Sequence, residues 1–364
     1  MTKQETNMKF CLLSILGIFF VVDGHLDYSL LDVGNLFPYY SFHMPLFVFI
    51  SGYFFRLRDG EGLWDYGKRK FMRLMVPYYI WNLFYGLLAS FLRGYGFVFG
   101  QAVTLKTLFI EPFRMGYQFT LNHAAWFVPA LFLVELVYAA AVRLAGRRSG
   151  KVLFLGFLSG GIGAVALAKH AGTEGFLLTA EKLFFLLPFY AGGVLYRDKL
   201  EEKDRLGSGW YFAVVMGAAF LLSLSGKRLI YSVSTCQDFT GYLLPYITGF
   251  LGIAFWIRVS EILAPAFQNN RFAEYFGRNT FSIMMHHIMI FLVIKTGFAL
   301  AAKYAGMFPD FSFEQYKQNI YYCYMPGALQ WKLVYLAAGL LAPLGLKRMM
   351  EAGGAICGRI RKNI

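Results

Sequence analysis

Charge is what this sequence has little of. Among its 364 residues only 15% are Asp, Glu, Lys or Arg, against about 25% in an ordinary soluble domain. A large water-facing surface cannot be built from so few, so an ordinary soluble globule is excluded. Cysteine is also scarce: Cys11, Cys236, Cys323 and Cys357 are too widely scattered for a zinc site or a disulfide framework, and no metal is expected. The chain shows no repeat of fixed short period, no low-complexity tract and no stretch free of apolar runs. A single domain over 1–364 is the natural count. Acidic residues number 21 against 35 basic ones, a net charge of +14. In a soluble protein that surplus would point to nucleic acid. Here the retention of Lys and Arg on one side of a membrane explains it, and no nucleic-acid partner is expected.

What the sequence does have is apolar mass. Hydrophobic residues make up 57%, mean hydropathy is +0.49, and there are 39 Phe and 24 Tyr, as suits lipid-facing surfaces and interfacial belts. Apolar runs bounded by charge fall at roughly 10–30, 36–55, 71–92, 124–142, 152–168, 183–196, 210–226, 241–257, 280–302 and 329–346. Unpaired backbone groups are costly in hydrocarbon, so each run is expected to be helical. The sixth is the shortest and is interrupted by Pro188. The fold class expected is therefore all-α, a polytopic membrane helix bundle of about ten transmembrane helices, surrounded by membrane lipids. The first run reads as a retained span rather than a leader, because Asp23-Gly24-His25-Leu26 lacks a small-x-small cleavage site.

Loop charge orients the bundle. Arg56, Arg58, Lys68, Arg69, Lys70 and Arg73 follow the second run, and Arg143, Arg147, Arg148 and Lys151 follow the fourth. Arg197, Lys199, Lys203 and Arg205, then Arg258, Arg271 and Arg278, occupy further alternate segments. Lys3 and Lys9 at the start, with Lys347, Arg348, Arg359, Arg361 and Lys362 in the tail, bring that side to 24 of 35 basic residues. The opposite loops hold nine, and Lys295 and Lys332 fall within spans. Both termini are expected to be cytoplasmic, which an even number of spans satisfies.

Polar residues inside such spans normally face the bundle interior. Asp23 and His25 close the first run. They lie about 200° apart on an ideal helix, and either end the helix at the interface or serve a site. In Ser41-Phe42-His43-Met44-Pro45, His43 sits where Pro45 frees backbone groups, a hint of a polar cavity. Ser51-Gly52 further along has ordinary helix packing as its simpler reading. Asn279, Ser282 and His286 share a helix face, with His287 about 100° away, so one of the two histidines is expected to face the bundle centre. Asn122-His123 precedes Trp126, which reads as an interfacial anchor or a cavity residue. Glu135 must pair or stay protonated.

Taken in order, these segments resemble the acyltransferase-3 family of membrane acyltransferases, especially its fucose 4-O-acetylase-like exopolysaccharide branch. The stretches that carry the resemblance are Gly24-His25, Phe42-His43-Met44-Pro45-Leu46-Phe47 running into Ser51-Gly52-Tyr53, Leu74-Met75-Val76-Pro77-Tyr78, Trp126-Phe127-Val128-Pro129-Ala130-Leu131-Phe132, and Gly277-Arg278-Asn279-Thr280 through His287. The resemblance implies a membrane O-acyltransferase of the bacterial cytoplasmic membrane. It would move an acyl group, most simply acetyl, from cytoplasmic acetyl-CoA to a hydroxyl of a cell-envelope or exopolysaccharide sugar. His25 would be the general base, with Asn279 and His287 as catalytic partners. Asp23, His43, Ser51, Trp126 and His286 would contact substrate. Arg56, Lys68, Arg69 and Arg73 would hold the phosphates of acyl-CoA, although positive-inside topology accounts for them equally well. One departure stands out: the family places Arg eleven residues before the first-span His, and here that residue is Ser14. A transporter for lipid-linked sugars and a non-catalytic component of polysaccharide assembly are the rival readings.

Overall fold

The computed structural model of the protein describes residues 7–26, 29–31, 33–146, 150–327 and 329–360, with side chains up to residue 353. Of the charge pattern, Lys3, Arg147, Arg148, Arg361 and Lys362 lie outside the described residues, as do the side chains of Cys357 and Arg359. The described chain is all-helical and contains no strand. Its order is α1 Met8–Asp23, α2 His43–Tyr53, α3 Leu63–Lys70, α4 Val76–Arg93, α5 Leu105–Phe109, α6 Phe127–Ala145, α7 Gly150–Ala171, α8 Gly175–Leu195, α9 Ser208–Ser223, α10 Leu244–Leu263, α11 Arg271–Arg278, α12 Thr280–Ala305, α13 Phe313–Gln318 and α14 Leu329–Ile360.

Each of the ten apolar runs becomes helix, and seven of the resulting helices are long and apolar enough to cross a bilayer. α1 and α9, with 16 residues each, and α2, with 11, fall short of that length. The first run is cut at Asp23 because Gly24 ends the helix there. A Cβ on Gly24 would sit 2.5 Å from the Tyr39 ring, so only glycine lets the following loop fold back on Tyr39. The sixth run is longer than its hydropathy implied. α8 extends back to Gly175 through the buried Glu181 and Lys182, whose charges mask the apolar pattern, and it carries Pro188 in its interior. Backbone freed by a proline is tolerated where neighbouring helices enclose it, and α8 packs against α7, α2 and α6.

Small residues set the tightest crossing. Cβ atoms on Gly52 and Gly193 would lie 2.0 Å from the carbonyl oxygens of Tyr190 and Phe49, so α2 and α8 touch backbone to backbone. Between α3 and α4 the turn Phe71–Met75 widens to a π-helix. Pro77 has no N–H to return to the carbonyl of Arg73, which breaks the regular ladder at that point.

The long helices alternate in direction. At one end, Lys9 pairs with Glu201, the Phe10 and Tyr53 rings stack 3.8 Å apart, and Cys11 reaches the Ala273 carbonyl at 3.2 Å. Arg56 to Arg73 lie here too, so this is called the basic end. At the opposite loop end, Lys169 donates to the Phe239 carbonyl at 2.8 Å and Tyr231 donates to the carbonyls of Ser41 and Pro245.

Candidate active site

A cavity of about 230 Å³ opens inside the bundle, walled by α1, α2, α6, α12 and the segment 231–234. His25, His43, His123 and Trp126 all line it. Its lining also includes Thr280, Phe281 and Leu74, which extend it toward the basic end. Thr280 lies seven residues before His287, roughly 10 Å along the helix, and Leu74 eleven before Tyr85, roughly 16 Å. Tyr85 marks the histidine level, because its hydroxyl shares a 2.6 Å hydrogen bond with Nδ1 of His286. The cavity is therefore elongated along the bundle, with its imidazoles gathered toward the loop end.

His25 is held between two rings. On one side is His287, with centroids 5.2 Å apart and planes 25° from parallel; on the other is Tyr321, at 5.5 Å and 13°. His287 is fully buried, and its Nδ1 lies 2.9 Å from the Ile283 carbonyl. A carbonyl only accepts, so that nitrogen carries the hydrogen and Nε2 keeps the lone pair in the neutral ring. That Nε2 is buried without a hydrogen-bond partner. His43 repeats the pattern, donating from Nδ1 to the Tyr39 carbonyl at 2.7 Å. His123 joins the group through Tyr321, at 5.6 Å edge to face. Sequence alone gives His123 no role of its own, because a histidine just ahead of an interfacial Trp126 looks the same whether or not it meets a cavity.

The turn carrying His25 is clamped by a buried ion pair. Lys332 Nζ lies 3.2 Å from Asp23 Oδ1, and both side chains are excluded from solvent. Lys332 also donates to the Leu26 carbonyl. The other Asp23 oxygen accepts from the Leu30 N–H at 2.8 Å and the Ser29 hydroxyl at 3.2 Å. Asp23 thus spends its charge on Lys332 and on the loop backbone, and it does not line the cavity. Its contacts hold the turn that carries His25.

A family model described as an acyltransferase domain, that of the acyltransferase-3 family, matches residues 12–343. The chain belongs to that family. The match runs from α1 into α14 and takes in every wall of the cavity, so this is a membrane acyltransferase that transfers groups other than aminoacyl groups. No curated protein and no solved structure matches the chain.

Asp23 and His287 border the His25 turn without lining the cavity, and three more of the anticipated residues of this acyltransferase stand away from it. The Asn279 amide donates to the Tyr275 carbonyl at 2.7 Å at the junction of α11 and α12; its neighbour Thr280 faces the cavity instead. Ser51 donates to Glu135 at 2.7 Å, and the same carboxylate oxygen receives Lys70 at 2.6 Å, forming a separate cluster. His286 is buried against Tyr85 and the edge of Trp81, at 4.3 Å. Of Asn279, Ser51 and Trp126, whose side chains could each donate to a developing oxyanion, only Trp126 lines the cavity. At the basic end Arg56, Lys68 and Arg73 are exposed. Arg69 instead grips Glu61 with two 2.8 Å hydrogen bonds. Ser14, in place of the family's arginine, returns its hydroxyl to the Phe10 carbonyl at 2.8 Å.

Proposed function

We propose that this acyltransferase O-acetylates a sugar of the cell envelope or of an exopolysaccharide, with acetyl-CoA as donor and His25 as general base. The basic end then faces the cytoplasm of a bacterial cell, with both termini there, and the enzyme sits with the fucose 4-O-acetylase-like branch in the cytoplasmic membrane. The observation that carries this reading is the His25–His287 stack at one end of a cavity elongated toward the basic end.

Arg56, Lys68 and Arg73 are free to meet the donor's phosphates as point charges and forks, while Arg69 would first have to leave Glu61. The apolar mid-section between Leu74 and Met284 suits a thin pantetheine arm delivering the thioester to the histidines. His25 takes the proton from a sugar hydroxyl as its oxygen attacks the thioester carbonyl. The carbon–sulfur bond then breaks, and the imidazolium returns that proton to the leaving thiolate. Trp126, which lines the cavity, donates its indole N–H to the developing oxyanion. His287, its Nδ1 already committed to Ile283, offers a second lone pair beside His25. His43 and His123 line the same space and contact the acceptor.

Ser14 favours a second reading, a family member without activity, since the donor-side arginine is missing. One assay separates the two. Purified protein in lipid nanodiscs is given labelled acetyl-CoA and a sugar acceptor, and acetylated sugar is measured. The wild type should form ester and His25→Ala should form none while still inserting and eluting as a folded species. Ester formation by His25→Ala at the wild-type rate would remove His25 from the chemistry.

A further inference from the structure

The loop end of the cavity has a property that the family assignment does not supply: it is lined by rings and hydroxyls and by no charged side chain among the described residues. One tyrosine of its lining, and a second that borders it by stacking on His25, are open to solvent. Tyr40 is 41% exposed, lines the cavity, and meets His43 edge to face at 5.4 Å. Tyr321, 39% exposed, lies flat against His25. An exposed tyrosine thus flanks each of two cavity histidines. Ser232 and Ser234, linked to each other at 3.1 Å, add hydroxyls to the wall.

Among the described residues the nearest charged side chains stand behind the lining, not in it. Asp23 and Lys332 neutralise each other out of solvent. Lys182 is buried, donates to the Met115 carbonyl at 3.2 Å, and lies under the Trp126 ring at 5.2 Å. The whole segment 24–42, which leads from α1 into α2 and carries His25 and Tyr40, contains no Lys or Arg. An anionic ring entering this space would give up its hydration against a lining that carries no cation, a costly transfer. An uncharged polyol would find hydroxyl and imidazole partners, and ring faces against which its C–H surface can lie.

We infer that this end of the cavity is an acceptor subsite for an uncharged sugar ring, held between Tyr40 and Tyr321 and excluding rings that bear a carboxylate. The inference rests on the sugar-acylation reading above and adds the class of sugar. It concerns the reacting ring alone, so charged groups elsewhere on a longer acceptor are not constrained.

The test uses the full chain in nanodiscs with labelled acetyl-CoA and matched alkyl glycosides: glucoside, galactoside and mannoside, each against its hexuronide. The best hexoside should exceed its hexuronide in kcat/KM by roughly 100-fold. Tyr40→Ala and Tyr321→Ala should each raise its KM about tenfold, and the Phe variants, which keep the ring and lose only the hydroxyl, should raise it by less than the Ala variants. Hexuronides acetylated as well as hexosides, or alanine variants with unchanged KM, overturn the subsite and leave the transferase reading standing. Acetylation of no sugar of either kind sinks the transferase reading and the subsite together.

Discussion

Two polar clusters are built into this bundle, and they put their hydrogen bonds to opposite uses. Toward the basic end, Ser51 and Lys70 converge on one oxygen of Glu135, so a buried carboxylate has its charge matched by an ammonium 2.6 Å away. Toward the loop end, four imidazoles surround or border a cavity, and two of them give one nitrogen to a helix carbonyl and keep the other. The first arrangement spends one Glu135 oxygen in holding α2, α3 and α6 together, while the other is buried without a hydrogen-bond partner and away from the cavity. The second leaves basic nitrogens uncommitted beside empty space. Polarity inside a membrane bundle therefore does not mark chemistry by itself; unspent hydrogen-bonding capacity facing a cavity does.

The comparison is broken most severely at the ion pair that supports the second cluster. Lys332→Met strands Asp23 as an unpaired buried charge and should lower stability by about 3–5 kcal/mol, read as earlier thermal unfolding in detergent. Asp23→Asn with Lys332→Met should recover most of that stability, yet transfer should remain depressed because the His25 turn has lost its clamp. Full activity in the double variant would show that the pair serves folding alone.

Next comes a direct contrast of the clusters. His287→Gln should reduce kcat by roughly 100-fold, within the range for a lost acid–base group. Lys70→Met should cost stability but leave kcat of the folded fraction within about threefold, since Glu135 does not line the cavity. Equal losses of kcat from the two changes would erase the distinction drawn here.

The smallest effect lies outside the membrane-spanning helices. Hydrogen bonds from Arg69 hold the Glu61 carboxyl well down, to about 2 from its ordinary 4.5. A carboxyl depressed in the folded state stabilises above its ordinary value, and that contribution fades as pH falls from 4.5 toward 2. The pair is partly solvated, so Glu61→Gln should cost under about 1 kcal/mol at neutral pH. Melting curves of variant and wild type should converge on acidification. A gap of undiminished size at pH 2 would assign the stabilisation to something other than this pair.

How much of this was legible beforehand varies residue by residue. Ten apolar runs are ten helices because hydrocarbon permits little else, although Glu181 and Lys182 hid the first half of α8. His25 and His43 were singled out from sequence and both line the cavity. The choice between His286 and His287 was not available. Two residues 100° apart on a helix are equivalent until the neighbouring helices are in place, and here Tyr85 takes one while His25 faces the other. Nor could Asp23 be matched with Lys332 across most of the chain, or Ser51 be drawn away from substrate by Glu135.

Hydropathy and loop charge act locally and additively, so the amino-acid order was enough to give a multi-pass helical membrane protein, and an ordered series of short motifs was enough to give its family. Which polar groups satisfy one another is a property of distances between helices remote in the chain. Packing alone could decide that Asp23, Ser51, Asn279 and His286 are occupied with protein partners, and that His25, His43 and His123 are left facing a common cavity.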